Sequence, residues 1–261
     1  MDNKFLKVGK SVNFKFTTDG LEYSLEPGMV YDVKIDRYKD ILSLEDSGTL
    51  MLPNKVYTTE KNRKFIDKIL KQYNNSESGF TGVMLAGLKG AGKTIIAKEI
   101  ANESGLPIIN LSNTLNPMYF VQLVKKLEDI SVCFLFDELD KVYNEYNISA
   151  ILQVLDGTDT TGKHLIVFTC NEDRKISEYL KDRCSRIRYW KELDELDPSM
   201  IQMILEDVLE DKKEIKSLVD FINEHFNIKS FDNIMAFVKE VNAFPLETFE
   251  DLFSDMNLIE K

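Results

Sequence analysis

The stretch Gly87-Leu88-Lys89-Gly90-Ala91-Gly92-Lys93-Thr94 fits the pattern G-x-x-x-x-G-K-[ST] at every defined position. Glycines there let consecutive backbone N–H groups turn inward and surround phosphate oxygens. Lys93 brings a positive charge to the terminal phosphates, and Thr94 offers its hydroxyl to a magnesium ion. A glycine-rich turn without a ligand could carry the same letters, so the flanks decide. An apolar run from Val83 to Ala86 leads in. A helix with Ile95, Ile96 and Ile100 leads out, its positive end aimed at the same anion. Residues 87–95 are therefore read as the seat of a nucleoside triphosphate with magnesium, and the expected cofactors are ATP and Mg2+.

Further along comes Val132-Cys133-Phe134-Leu135-Phe136-Asp137-Glu138. An apolar run ending in two acids describes a buried strand that delivers carboxylates at its carboxyl edge, where ligands sit in open parallel sheets. Asp137 is placed to hold magnesium through a water, and Glu138 to polarise the attacking water as a general base. The competing reading is a capped strand followed by a solvated acidic turn, which the phosphate loop upstream disfavours. Asn171 closes the apolar run from Leu165 to Cys170. Its amide could bond both the attacking water and the terminal phosphate; a helix N-cap is the ordinary alternative. Arg183 and Arg186 follow. Arginine's planar fork binds phosphate bidentately and stays charged, and an arginine finger contributes about a thousand- to a hundred-thousand-fold to phosphoryl transfer. Surface pairing with Glu172, Asp173 or Asp182 would account for the same two residues.

These groups need a scaffold. Short apolar runs at 83–86, 107–111, 132–136, 165–170 and 186–190 alternate with helical patterns near 93–103, 117–128, 147–155 and 173–181. That alternation predicts a parallel sheet covered on both faces. Before it, Phe65, Ile66, Ile69, Leu70 and Tyr73 recur at helical spacing. Residues 8–53 read as β-structure. Val12, Phe14 and Phe16 alternate up to an Asp19-Gly20 turn, then Leu21, Tyr23 and Leu25 alternate after it. Pro27-Gly28 precedes Tyr31, Val33 and Ile35, and further strands at 41–44 and 50–52 flank Asp46-Ser47-Gly48. After about Leu196 only helical periodicity appears, at 201–209, 215–226 and 231–241. The expected division is a small N-terminal β-domain (1–55), an α/β core with a linker helix (56–195) and a C-terminal helical lid (196–261). The first piece carries no catalytic chemistry and reads equally as an accessory sheet or as an adaptor for a partner.

Composition narrows the class. Hydrophobic residues make up 43% and charged residues 30%, the balance of a soluble globular protein. No apolar run is long enough to span a membrane, and the opening MDNKFLKVGK lacks the apolar core of a signal peptide. The expected location is intracellular, in the cytoplasm. Cys133, Cys170 and Cys184 lack the close pairing of zinc ligands, and His164 and His225 stand apart. The formal charge of -11 argues against a surface that grips nucleic acid along its whole extent.

The order of phosphate loop, Asp-Glu strand, Asn-ending strand, paired arginines and helical C-terminus resembles an AAA+ ATPase. Between Ser149 and Trp190 it resembles the AAA clade in particular. Leu155-Asp156-Gly157 is similar to the Leu-Asp-Gly before the family's fourth strand. Phe168-Thr169-Cys170-Asn171 is similar to the strand ending in its sensor-1 asparagine. Arg183 and Arg186 keep its Arg-x-x-Arg spacing, and Val56-Tyr57 stand where the family contacts adenine. The resemblance covers about residues 54–240. It implies a P-loop NTPase fold with a five-stranded parallel sheet of order 5-1-4-3-2 and a helical lid. It also implies a homo-oligomeric ring, usually a hexamer, in which Arg183 and Arg186 reach ATP held by the next subunit.

There are departures. Cys184-Ser185 replace the usual Pro-Gly between the arginines. The segment before Val132 is short, so Met118-Tyr119-Phe120 is the best pore-loop candidate and reads equally as the buried start of a helix. Phe231-Asp232-Asn233 offers no arginine at the lid's sensor-2 position, which fits the AAA clade better than clamp loaders. The compact single module also resembles AAA proteins carried by bacteriophages, which would place it in a host cytoplasm.

The resulting expectation is an ATP-driven ring that remodels a protein or a complex. The alternative is a nucleic-acid-handling ATPase such as a loader or helicase-loading factor. A nucleotide-gated scaffold is a third reading, against which the carboxylate of Glu138 argues.

Overall fold

The computed structural model describes residues 5–14, 24–36, 41–111, 117–142, 151, 154–155, 162–171 and 187–261. The expected Asp19-Gly20 turn, most of the helices at 147–155 and 173–181, Asp156-Gly157, Arg183 and Arg186 lie outside these residues.

The parallel core follows from the apolar runs. Strands β5 (Gly79–Gly87), β6 (Ile108–Asn110), β7 (Cys133–Phe136), β8 (Lys163–Cys170) and β9 (Tyr189–Leu193) pair in parallel. The ladder runs β6-β7-β8-β5-β9. The fifth strand begins later than the run at 186–190 suggests, because Val83 pairs with Tyr189 and Gly87 with Leu193. That register sets the end of β9 beside the start of the phosphate loop.

The sheet does not stop at five strands. β3 (Met29–Asp36) pairs in parallel with β6, through Val30 and Ile108. β4 (Ile41–Thr49), β2 (Ser11–Phe14) and β1 (Phe5–Val8) then continue antiparallel, giving nine strands in one sheet among the described residues. Asp46-Ser47-Gly48 does not separate two strands. Met29 pairs with Thr49 and Tyr31 with Asp46, so the extra residues form a bulge within β4. Residues 50–52 are not a strand.

Alternation along each strand feeds two cores. Met84, Ala86, Phe134, Phe136, Ile166 and Phe168 face one side. There α3 (Pro117–Lys126) lays down Phe120, Leu123 and Val124, and Tyr31 and Leu44 of the N-terminal strands join the same cluster. Val83, Leu85, Leu135, Leu165 and Val167 face the other side, under Ile66 and Ile69 of α1 (Glu60–Asn75) and Ile96 and Ile100 of α2 (Lys93–Glu103). Thr59 caps α1 by accepting from the Asn62 N–H, a contact that contributes about 1 kcal/mol. Phe120 is fully buried edge-on between Phe134 and Phe136, so this residue is the buried start of a helix. Met118, two residues earlier, is exposed.

A third, separate cluster holds the C-terminal helices α5 (Pro198–Val208), α6 (Ile215–His225), α7 (Phe231–Ala243) and α8 (Phe249–Asp255). Phe221, Phe226, Phe237 and Phe253 meet ring to ring at its centre. The last of these helices has no counterpart among the expected ones. No helix among the described residues is long and apolar enough to cross a membrane.

Candidate nucleotide site

The groups with chemistry converge at the carboxyl edge of the parallel strands. β5 delivers the loop from Gly87, β7 delivers Asp137 and Glu138, and β8 delivers Asn171. Two glycines of the loop are needed for close approach. Gly87, at φ 127°, lies against the Leu193 carbonyl so tightly that a Cβ would collide with it. Gly90, at φ 80°, would place a Cβ 2.8 Å from the Cβ of Ser230, the N-cap of α7. Either substitution also strains a left-handed backbone.

Lys93 opens α2 with its side chain buried inside the loop, 6% exposed. Its ammonium donates to the carbonyls of Gly87 at 2.9 Å and Leu88 at 2.6 Å. Burial lowers its pKa below the ordinary lysine value, and the charge of Asp140 is the largest opposing influence, with Asp137 and Glu138 adding to it. Gly92 is the N-cap of α2 and contributes no capping side chain, so the first N–H groups of that helix lack a side-chain cap. A cation beside an uncapped helix N-terminus is suited to an anion.

Thr94 donates to Asp137 Oδ1 at 3.0 Å. That hydroxyl has one hydrogen and uses it here, which leaves its oxygen lone pairs for a cation. A hydroxyl oxygen beside a carboxylate suits magnesium, a hard ion that binds through oxygen and keeps several waters.

Glu138 has φ 55°, the single positive value outside glycine among the described residues. A left-handed glutamate costs about 1–2 kcal/mol. The chain turns here to enter α4 (Leu139–Val142), and the Glu138 carboxylate points toward β8. Asn171 Nδ2 donates to its Oε1 at 3.4 Å, and Lys141 Nζ pairs with its Oε2 at 2.6 Å. That hydrogen bond to Glu138 raises the pKa of Lys141. The Asn171 N–H donates to Asp140 Oδ1 at 3.0 Å, so the end of β8 is tied to the first turn of α4.

The C-terminal helical cluster touches the loop directly, as the Phe231 N–H donates to the Gly90 carbonyl at 3.1 Å. Tyr57 packs against Phe231 with ring centroids 5.8 Å apart and donates to Asp207 at 2.5 Å. Lys55 pairs with the same carboxylate at 2.6 Å, pinning the segment around Val56 to α5.

The family model for "ATPase family associated with various cellular activities (AAA)" matches residues 83–192, from β5 through β9. The chain carries an AAA ATPase domain. The activity of an AAA ATPase domain is magnesium-dependent hydrolysis of ATP. Over 175 residues the chain is 27% identical to the ATP-dependent zinc metalloprotease FTSH 2 of Arabidopsis thaliana, covering 58% of this chain and 22% of that protein. Over 123 residues it is 39% identical to the rice FTSH 2, covering 38% of this chain and 18% of that protein. A bacterial FtsH from Ralstonia pickettii is 30% identical over 112 residues, 34% of this chain and 16% of the relative. The chain thus spans about a fifth of the length of the curated relatives it matches.

Within the AAA domain, the loop residues 87–95, Asp137, Glu138 and Asn171 come together at one edge. Tyr57 lies against the C-terminal helices, and Val56 stands between it and Lys55, both of which bond Asp207. Sequence reasoning passed over Thr169, Asp140, Lys141 and Ser230. Thr169 had a usable signal, being a hydroxyl in the apolar run Leu165-Ile166-Val167-Phe168-Thr169-Cys170 on the strand next to Asp137.

Proposed function

We propose that the protein is a homo-oligomeric AAA+ ring, built as a hexamer, that couples ATP hydrolysis to remodelling a protein or a protein complex. The observation carrying this reading is the meeting of Lys93, Thr94, Asp137, Glu138 and Asn171 at one sheet edge. Lys93, the backbone of residues 87–92 and Ile95 hold the phosphates, while Val56 and Tyr57 bound the adenine. Thr94, and Asp137 through water, would hold magnesium, which neutralises charge on the phosphates. Glu138 takes the proton of the attacking water as the water oxygen bonds the terminal phosphorus, and ADP leaves as the bond between that phosphorus and the ADP oxygen breaks. Asn171 orients the water. Arg183 and Arg186 complete the site of the neighbouring subunit.

The proposed division remains 1–55, 56–195 and 196–261, with the first piece recruiting the substrate from the edge of the sheet. A protein substrate is favoured over nucleic acid because the relatives sharing the ATPase segment are named as proteases. The formal charge of -11 points the same way.

The test is Glu138→Gln, with particle mass measured with and without ATP. The variant is expected to bind ATP, to lose turnover and to hold an ATP-dependent oligomer. Turnover at the wild-type rate would remove Glu138 as the base, and a mass indifferent to ATP in both proteins would remove the ring.

A further inference from the structure

Thr169 sits in β8, 1% exposed, in a strand whose other side chains between Leu165 and Cys170 are apolar. Its hydroxyl donates to Asp137 Oδ1 at 2.6 Å and accepts from the Glu138 N–H at 2.8 Å. One hydroxyl therefore spans both acids, using its single hydrogen on one and a lone pair on the other. Neither bond serves the strand that carries it. The register explains the reach: Phe136 pairs with Phe168, so the residue after each stands at the same level of the edge.

Two features show what this contact restrains. Asp137 Oδ1 also accepts from Thr94, so two hydroxyls fix the same oxygen. Glu138 is the residue held at φ 55°, a conformation that persists only where surroundings over-determine it. Its N–H is one of the few handles on that backbone, and Thr169 holds it.

We propose that Thr169 is a positioning residue for hydrolysis: its hydroxyl fixes the Asp137 carboxylate and the left-handed backbone of Glu138, aiming the base at the attacking water. The proposal rests on the reading of Glu138 as the general base. Valine has nearly the same shape as threonine, so Thr169→Val keeps the packing and removes both bonds. Serine restores the hydroxyl without the methyl group.

The experiment measures ATP affinity and steady-state hydrolysis in the full chain for Thr169→Val, Thr169→Ser and Glu138→Gln. Thr169→Val should bind ATP within about threefold of wild type while kcat falls about ten- to a hundredfold. Thr169→Ser should keep most of the wild-type kcat. A Thr169→Val enzyme at wild-type kcat, beside an inactive Glu138→Gln, overturns the Thr169 proposal alone. Thr169→Ser as slow as Thr169→Val also overturns it, because shape and not the hydroxyl would then matter. Glu138→Gln with wild-type turnover overturns the base assignment, and the Thr169 role with it. If the valine variant does not fold, Thr169→Ala beside Thr169→Ser makes the same comparison.

Discussion

Adjacent residues in this protein take on different work because they meet different neighbours. Asp137 is bonded by two threonine hydroxyls, whereas Glu138 reaches the Asn171 amide and the Lys141 ammonium. His164 is the opposite case, a polar group with nothing to do. It is fully buried against Phe80 and Phe134, and neither ring nitrogen has a hydrogen-bond partner among the described residues. Burial lowers its pKa from 6.5 to about 4. The unfolded chain therefore takes up this proton first as the pH falls. The contribution of neutral His164 is complete above about pH 6.5 and is lost as the pH falls toward about 4, a loss of about 2 kcal/mol by pH 5. His164→Leu removes the titrating group and keeps an apolar side chain. Melting temperatures at pH 7 and pH 5 should fall less for the variant than for wild type. Equal drops would place the acid sensitivity in other residues.

At the scale of elements, legibility followed the range of the interactions. The turn from β5 into α2 was readable because glycine, lysine and threonine act within a few residues of one another. Thr169 was not, since its role depends on which strands are neighbours and in what register. The joining of β3 to β6 was illegible for the same reason: Tyr31, Val33 and Ile35 announce a strand, but nothing local names the partner. The bulge at Ser47-Gly48 reads as a turn until the pairing of Met29 with Thr49 shows the strand continuing. The lid contact is likewise non-local and can be tested by sterics. Gly90→Ala should push Ser230 away and strain the backbone, lowering both ATP affinity and thermal stability. Glycine is nearly as good as serine at an N-cap, so Ser230→Gly opens space at little cost to α7. The double variant should recover part of the loss, leaving the φ strain of about 1–2 kcal/mol. No recovery would mean that the lid is not what Gly90 must avoid.

For the whole molecule, the proposed reading has the sheet edge supply a phosphate grip, a metal-holding pair, a base and an amide, all from one chain. A phosphoryl-transfer site also needs cationic charge on the terminal phosphate as the bond breaks, and Arg183 and Arg186 are proposed to bring it from a neighbour. A variant pair separates donor from acceptor. Arg186→Ala keeps its own loop and Glu138, so it should bind ATP near wild-type affinity and lose about a thousandfold or more in turnover. Glu138→Gln keeps its arginines and cannot activate water. In a randomly mixed ring, roughly one interface in four places an intact Glu138 opposite an intact Arg186. An equal mixture should then hydrolyse ATP well above either variant alone, and its rate should rise with time allowed for subunit exchange. Were Arg186 to act on ATP held by its own subunit, no mixed interface would hold both groups. The mixture would then show only the average of its parts, a result that sinks the shared site while leaving the phosphate loop untouched.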